Sequence, residues 1–215
     1  MKSIVGVEVP AHAESIWTAI LASVLALAQG TPPLFVLSAG MGKSLCYQLP
    51  AMLLPGLTLV VSPLIALMHD QLASMPSQLS AAVLWSGQSR MEALQVLADV
   101  AGGRIKVLLV SPERLNNPHL LEALQPRMPL PLLVVDEAHC VAEWGHSFRP
   151  AYFRLGATLQ TAVRVQRVLA LTATATRATE TAVCSVLGIP PEQVVRDTLV
   201  RDNLRLHVVR KNGGE

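Results

Sequence analysis

The feature that most constrains the fold is a repeated alternation between short apolar runs and stretches of helical composition. About six runs have the length and residue types of buried strands, and they are Leu34–Leu37, Leu57–Ser62, Ala81–Trp85, Ile105–Ser111, Leu132–Asp136 and Val168–Thr172. The helix-type stretches between them are Ser44–Leu54, Pro63–Ser74, Ser89–Val100 and Ala175–Leu187. Runs that are apolar throughout are typical of strands covered on both faces. The alternation therefore predicts an α/β domain in which helices cover both faces of a parallel sheet.

Length and composition limit the classes of protein that this chain can represent. Its 215 residues leave room for one α/β domain of this kind. Hydrophobic residues make up 51% of the chain and charged residues 15%, which excludes an intrinsically disordered protein. The formal net charge of +2 is too small to indicate a nucleic-acid partner, because that signal is a strongly basic face or tail. Any such partner must be inferred from motifs.

The cysteines give information about the compartment. Cys46, Cys140 and Cys184 lie far apart in the sequence, and no CxxC pair is present. This spacing predicts neither a zinc site nor a disulfide framework, and it favours a reducing, intracellular environment.

The apolar segment Ile16–Ala28 is open to two interpretations. It resembles the hydrophobic region of a signal peptide, but Glu8 and Glu14 precede or flank it and Lys2 is the only positive charge before it. It is also shorter than the roughly 20 residues of a membrane span. We therefore expect no membrane association and a helix packed on the domain. The apolar positions that fit such a helix include Ile16, Ala19, Ile20 and Leu27.

A glycine-containing turn separates the first predicted strand from the helix that follows. It consists of Leu37, Ser38, Ala39, Gly40, Met41, Gly42, Lys43 and Ser44. In a phosphate loop, glycines let backbone N–H groups surround a β-phosphate, the lysine reaches the β/γ oxygens and the serine hydroxyl binds Mg²⁺. Leu37 occupies the position at which the full pattern has glycine. The alternative is a chance glycine turn with a surface lysine.

Two acidic residues follow the apolar run that begins at Leu132. Asp136 at the strand end fits a ligand of Mg²⁺, and Glu137 fits a base that orients and deprotonates the attacking water during phosphoryl transfer. Alone, such a pair is equally typical of the solvated start of a helix. Its occurrence together with the phosphate loop favours the catalytic interpretation. His139 fits a coupling role beside the acids, or a packing or capping role.

Five blocks of sequence, taken in order, resemble the motifs of the RecQ family of DNA helicases. The blocks are Gly42–Ala51, Val60–Gln71, Val110–Leu115, Asp136–Tyr152 and Ala170–Thr176. The resemblance extends from about residue 34 to about residue 210, and it implies a RecA-like sheet of about six or seven strands. It also implies that ATP and Mg²⁺ are bound at Ser38–Ser44 and at Asp136, with Lys43, Asp136, Glu137 and His139 as catalytic residues.

The resemblance assigns further residues to the coupling of nucleotide and DNA. The loop after the acidic pair would sense single-stranded DNA, and it contains Trp144, His146, Phe148 and Arg149. Aromatic side chains stack on bases and arginine binds phosphate, although Trp144 and Phe148 could instead belong to the core.

Thr172 and Thr174 resemble the motif that links the nucleotide to DNA and to a second motor domain. Ser62, Asp70 and Gln71 resemble a block that lines the DNA path, and Ser62 could equally be a helix cap.

Two features depart from the family pattern. A glutamine-bearing segment that recognises adenine, in a phrase like FRxxQ, is not found upstream of the loop, and Ser38-Ala39-Gly40 replaces the usual Pro-Thr-Gly.

The predicted layout is an N-terminal helical segment at 1–30, an ATP-binding domain at 31–197 and, at 198–215, the start of a connection to a second RecA-like domain. Arg201–Leu204 resembles the beginning of that domain, which supplies arginine fingers for catalysis in the family.

The predicted function is the ATP-binding half of a 3′ to 5′ DNA helicase that acts in repair and recombination. Its expected partners are single-stranded or forked DNA and the second motor domain, with ATP as the only small-molecule substrate. The expected location is the nucleus in a eukaryote, or the cytoplasm and nucleoid in a bacterium. Two alternatives stay open: a non-catalytic fragment that binds nucleic acid or protein, and a phosphate-loop NTPase of another class.

Overall fold

Seven parallel strands form one sheet. The structure is a computed structural model that describes residues 11–38, 40–142 and 162–196, with side chains from residue 20 onward. The strands are β1 (Leu34–Val36), β2 (Thr58–Val61), β3 (Ala81–Leu84), β4 (Val107–Val110), β5 (Leu132–Val135), β6 (Val168–Thr172) and β7 (Val194–Arg196). Their order across the sheet is β3-β4-β2-β5-β6-β1-β7, and every pair is parallel. The predicted fold class is confirmed.

Helices connect the strands and cover both faces of the sheet. They are α1 (Ala11–Ala28), α2 (Leu45–Leu53), α3 (Ile65–Ala73), α4 (Arg90–Ala101), α5 (Pro118–Leu124) and α6 (Arg177–Leu187). Short 3₁₀ turns occur at Pro112–Arg114, Gln125–Arg127, Ala138–Val141 and Pro191–Gln193.

Two hydrophobic cores lie on opposite faces of the sheet, because alternate side chains of a strand point to opposite faces. In β1, Phe35 joins one core together with buried residues of α1, α2 and α3. Its neighbours Leu34 and Val36 join the other core with buried residues of α4, α5 and α6. Strands β2, β4 and β5 are buried along their whole length. The domain is therefore a three-layer sandwich, which explains why these strands lack any polar alternation.

The predicted strands are longer than the observed ones at their C-terminal ends. Ser62, Ser111 and Asp136 were included in strands, but each lies one residue beyond the strand end. Each still donates a backbone hydrogen bond to the end of a neighbouring strand: Ser62 to Val110, Ser111 to Leu84 and Asp136 to Val61. These three residues are therefore aligned along the carboxyl edge of the sheet, where ligands bind in open α/β folds.

Two elements were not predicted. Strand β7 has only three residues at the edge of the sheet, and α5 has seven residues. The start of α5 does carry a signal, because the Asn117 side chain accepts a hydrogen bond from the His119 backbone and Pro118 occupies the first helical position. The sequence signal for β7 is weak because such a short strand is stabilised by its pairing with β1.

Two serines that follow strands and precede prolines, Ser62 and Ser111, do not act as helix caps. Helix α3 begins at Ile65 rather than at Pro63, and the Ser62 hydroxyl makes no capping bond. Ser111 precedes a 3₁₀ turn and its side chain does not cap that turn either. Both hydroxyls are buried without a hydrogen-bond partner. The cap interpretation of Ser62 is wrong, because its backbone still belongs to the hydrogen-bond ladder of the sheet.

The N-terminal apolar segment forms part of α1. Ile20 and Leu27 are buried at 2% and 1% exposure, and the helix packs against α2. The Arg167 side chain also donates a hydrogen bond to the Leu27 carbonyl. The predicted packing of this segment on the domain is therefore observed. Within the described part of the chain, no helix combines the length and hydropathy needed to cross a membrane.

Candidate functional site

The glycine turn between β1 and α2 has the backbone geometry of an anion-binding loop. Gly40 and Gly42 adopt positive φ angles of 85° and 71°, a left-handed conformation that is costly for other residues. The Met41 amide donates to the Ser38 carbonyl at 3.3 Å. Helix α2 begins directly after Ser44, so the positive end of its dipole faces the loop. Ala39 lies outside the described residues.

Lys43 and Ser44 lie at the junction of the loop and α2. The Lys43 Nζ donates to the Leu37 carbonyl at 3.4 Å, so the side chain lies along the loop. Burial raises the pKa of Asp136 and the Lys43 charge opposes that rise, while a hydrogen bond from His139 lowers the pKa of Glu137 and the Lys43 charge adds to that effect. The Ser44 hydroxyl makes no capping bond with the helix. The structure thus brings the loop lysine and the acidic pair to one edge of the sheet.

Asp136 is a buried carboxylate with both oxygens hydrogen-bonded. Its side chain is 3% exposed. Oδ2 accepts from Gln71 Nε2 at 2.9 Å, and Oδ1 accepts from the Glu137 backbone N–H at 3.0 Å. Burial raises the pKa of Asp136, while the Gln71 hydrogen bond and the Lys43 charge oppose that rise. The carboxylate therefore has a fixed orientation.

Glu137 has an unusual backbone conformation. Its φ and ψ angles are 48° and 47°, and among the described residues it is the only non-glycine with positive φ. Such a conformation costs about 1 kcal/mol or more and is found mainly at functional sites. It turns the chain sharply between β5 and the 3₁₀ turn that contains His139. A hydrogen bond from His139 lowers the pKa of Glu137 against the effect of burial, and the Lys43 charge lowers it further. Glu137 is therefore ionised at neutral pH and can accept a proton.

His139 connects the acidic pair to β6. Its Nδ1 lies 3.3 Å from Glu137 Oε2 and 2.9 Å from Thr172 Oγ1. The Thr172 hydroxyl donates to the Thr174 carbonyl at 2.9 Å. Hydrogen bonds with Cys140 and Glu137 raise the pKa of His139 to about 10. An ion-pair contact followed by two hydrogen bonds thus links Glu137 to Thr174 through His139 and Thr172.

The donor set fits magnesium. Mg²⁺ prefers oxygen ligands and is commonly held by one or two carboxylates, waters and substrate phosphates. The Asp136 carboxylate and the Ser44 hydroxyl are oxygen donors of this type, and Asp136 is fixed by two hydrogen bonds. No cluster of three or more His, Cys, Asp or Glu side chains suited to a metal occurs within the described ranges. The three cysteines are free thiols.

The residues predicted to face DNA fall into two groups. Trp144, His146, Phe148 and Arg149 lie outside the described residues. Of the other block, Ser62 is fully buried and Gln71 is 7% exposed, whereas Asp70 is exposed. Sequence reasoning placed Gln71 on the DNA path and missed its contact with Asp136. The sequence has no local signal for that contact, because the two residues are 65 positions apart.

The chain is similar in sequence to proteins named as DNA helicases. The protein named ATP-dependent DNA helicase Q-like 5 from Arabidopsis thaliana is 49% identical over 180 residues, which cover 83% of this chain and 20% of that protein. ATP-dependent DNA helicase RecQ from Bacillus subtilis is 38% identical over 176 residues, which cover 81% of this chain and 30% of that protein. This chain therefore spans less than a third of either relative.

Solved structures show the same fold. A hypothetical ATP-dependent RNA helicase from Sulfolobus tokodaii has a TM-score of 0.61 at 17% identity, covering 86% of this chain and 57% of that one. The helicase domain of Hef from Pyrococcus furiosus has a TM-score of 0.57 at 22% identity, covering 83% of this chain and 37% of that one.

The sequence model of the DEAD/DEAH box helicases matches residues 16–182, a span that includes the phosphate loop, the acidic pair and β6. More than half of the chain is matched, and its relatives include RecQ helicases. The chain belongs to the DEAD/DEAH box helicase family.

Proposed function

We propose that this chain is the ATP-binding and ATP-hydrolysing domain of a RecQ-like DNA helicase. The observation that carries the proposal is that the glycine loop with Lys43 follows β1 and the Asp136–Glu137 pair follows β5, so both lie at the carboxyl edge of one parallel sheet. This is the arrangement required to bind a triphosphate and activate water beside it. The relatives named as DNA helicases support DNA as the partner.

The geometry suggests a role for each group during hydrolysis. The loop N–H groups and Lys43 bind the β- and γ-phosphates. Glu137 accepts a proton from a water molecule while the water oxygen attacks the γ-phosphorus, and the bond from that phosphorus to ADP breaks. Mg²⁺, held by Ser44 and Asp136, would neutralise charge on the phosphate oxygens. The contacts from Glu137 through His139 and Thr172 to Thr174 would report the state of this site to DNA and to a second motor domain.

The finer parts of the proposal follow from resemblance to the RecQ helicases. They are 3′ to 5′ movement on single-stranded DNA, unwinding of forked duplexes, a role in repair and recombination, and action in the nucleus or nucleoid. The arginine fingers of a second RecA-like domain would complete the site, an effect worth roughly 10³- to 10⁵-fold in related NTPases. We therefore expect the isolated 215-residue polypeptide to show little or no unwinding.

The first test is nucleotide binding, which does not require a second domain. A fluorescent ATP analogue is titrated against the native chain, Lys43→Ala and Glu137→Gln. We expect Lys43→Ala to weaken binding at least tenfold because it removes the charge that meets the phosphates, and Glu137→Gln to bind normally. Lys106→Ala is the matched control, since Lys106 precedes β4 at the opposite edge of the sheet. Equal binding by Lys43→Ala and the native chain would refute the proposed site.

The second test separates the proposal from its two alternatives. Phosphate release is measured with and without single-stranded DNA for the native chain, Glu137→Gln and the control Glu113→Gln. Without the arginine fingers of a second domain, a helicase domain predicts slow but measurable release that DNA stimulates and that Glu137→Gln reduces by about 10² or more. A non-catalytic fragment predicts no release from the native chain. An NTPase of another class predicts release that responds neither to DNA nor to replacement of Trp144 or Phe148 by Ala.

A further inference from the structure

Gln71 is the only residue of α3 whose side chain is shown bonded to the acidic pair. Its amide Nε2 lies 2.9 Å from Asp136 Oδ2, and a carboxylate oxygen can only accept. The residue three positions earlier, Met68, is fully buried on the same face of the helix. Met68 therefore packs α3 against the domain one helical turn before Gln71, the residue that contacts Asp136. The preceding residue, Asp70, is exposed.

The Gln71 contact fixes the one carboxylate oxygen that the protein backbone does not hold. Asp136 Oδ1 already accepts from the Glu137 N–H at 3.0 Å, so Gln71 supplies the donor for Oδ2. The other atom of the same amide, Oε1, is buried without a hydrogen-bond partner. An unpaired buried acceptor is unfavourable, so the amide is held at this position chiefly by its bond to Asp136. Filling space in the core would not require an amide here.

We propose that Gln71 is a positioning residue that holds Asp136 Oδ2 so that the carboxylate meets Mg²⁺ in one orientation. The inference rests on the proposed function, since it assumes that Asp136 is a magnesium ligand. It assigns Gln71 to the metal site rather than to the DNA surface.

The test compares two substitutions that make opposite predictions for a structural role and a positioning role. Gln71→Glu preserves the size and shape of the side chain but replaces the donor with a second carboxylate beside Asp136. Gln71→Met fills similar space without charge. If Gln71 only fills space, Gln71→Met leaves metal binding unchanged, because methionine has a similar volume. If Gln71 positions Asp136, Gln71→Met weakens metal binding, and Gln71→Glu weakens it further because the second carboxylate repels Asp136.

The readout is metal binding rather than turnover. Mn²⁺ is titrated, as a spectroscopic substitute for Mg²⁺, into protein saturated with a non-hydrolysable ATP analogue, and bound Mn²⁺ is followed by electron paramagnetic resonance. Partners that orient a metal ligand typically contribute 10- to 100-fold to metal affinity. We expect about tenfold weaker Mn²⁺ binding for Gln71→Met and a larger loss for Gln71→Glu. Nucleotide affinity measured in excess chelator should change less than about twofold, because the phosphate loop is untouched.

A second glutamine–aspartate pair provides the matched control. Gln95 Nε2 donates to Asp99 Oδ1 at 3.1 Å on the exposed surface of α4, so Gln95→Met and Gln95→Glu should leave Mn²⁺ binding unchanged. Unaltered Mn²⁺ affinity in both Gln71 variants, with normal folding by circular dichroism, would overturn the inference. A loss of nucleotide affinity that is equal in the presence and absence of metal would also overturn it. If the native chain bound neither nucleotide nor Mn²⁺, the proposed function itself would fail.

Discussion

His139 Nδ1 donates a hydrogen bond to Thr172 Oγ1 at 2.9 Å and so joins the residues that follow β5 to the end of β6. The direction of this bond is fixed, because the Thr172 hydroxyl uses its own proton to bond the Thr174 carbonyl. Nδ1 therefore carries a proton, and the same nitrogen lies 3.3 Å from Glu137 Oε2. Under the proposed function, a change in the contact between Glu137 and the nucleotide would alter the imidazole that holds Thr172.

Replacement of Thr172 should uncouple DNA from hydrolysis. Thr172→Val removes the hydroxyl but keeps the shape, so we expect nucleotide affinity to be retained and stimulation of phosphate release by single-stranded DNA to fall about tenfold. The physical reason is the loss of the three hydrogen bonds that the hydroxyl makes with His139 and with the Thr174 carbonyl and N–H, each worth about 1 kcal/mol. Thr172→Ser keeps the hydroxyl and serves as the control. Normal stimulation in Thr172→Val would show that coupling takes another route.

The charge of His139 should make stability depend on pH. Its folded pKa of about 10 exceeds the ordinary value of 6.5, so its contribution is complete below about pH 6.5 and is lost as the pH rises through 10. The difference in free energy of unfolding between the native chain and His139→Gln should be about 1–2 kcal/mol at pH 6, as for hydrogen bonds to a charged group. Urea unfolding between pH 6 and 10 measures it. A difference that grows with pH contradicts the prediction.

Gly87 leaves room for the Trp85 ring. A Cβ atom at position 87 would lie 2.0 Å from Trp85 Cζ3, so Gly87→Ala must displace a ring that also meets His69 edge-on at a centroid distance of 6.1 Å. We expect a loss of about 1–2 kcal/mol in stability, as for other overpacked sites, and a change in tryptophan fluorescence. The change should vanish in a Trp85→Phe background.

Gly102→Ala is the control for this substitution, because a Cβ there meets mainly the flexible end of Arg104. It should leave the fluorescence unchanged. An unchanged emission spectrum in Gly87→Ala would mean that the ring does not occupy this position in solution.

The buried Glu180 should stabilise the edge strand β7 mainly through its ion pair with Arg196. Glu180 is 4% exposed and contacts both Arg177 and Arg196, whose side chains are 83% and 28% exposed. Exposed pairs contribute about 0–1 kcal/mol, whereas loss of a partner from a buried pair costs several. We therefore expect Arg196→Ala to lower the free energy of unfolding by about 2 kcal/mol and Arg177→Ala by less than about 0.5 kcal/mol. Equal effects in urea unfolding would contradict this.

The phosphate loop and the acidic pair could be found in the sequence because each is a run of neighbouring residues. The chemistry of each motif depends on neighbouring residues. These are glycine, lysine and serine before a helix in one case, and acids after an apolar strand in the other. The left-handed conformation of Glu137 could not be predicted from its residue type, since glutamate rarely adopts it. The contact between Gln71 and Asp136 could not be predicted either, because it depends on where α3 packs on the sheet.

The amino-acid sequence by itself determined the alternation of strands and helices and the position of the ligand-binding loops. The physical reason is that apolar runs, glycines and helix-starting residues act over a few neighbouring positions. Only the tertiary structure decided the strand order β3-β4-β2-β5-β6-β1-β7, the burial of Ser62 and Gln71, and the meeting of His139 with Thr172. Those features arise from packing between residues distant in the chain, whose pairing is selected by the free energy of the whole domain rather than by local preference.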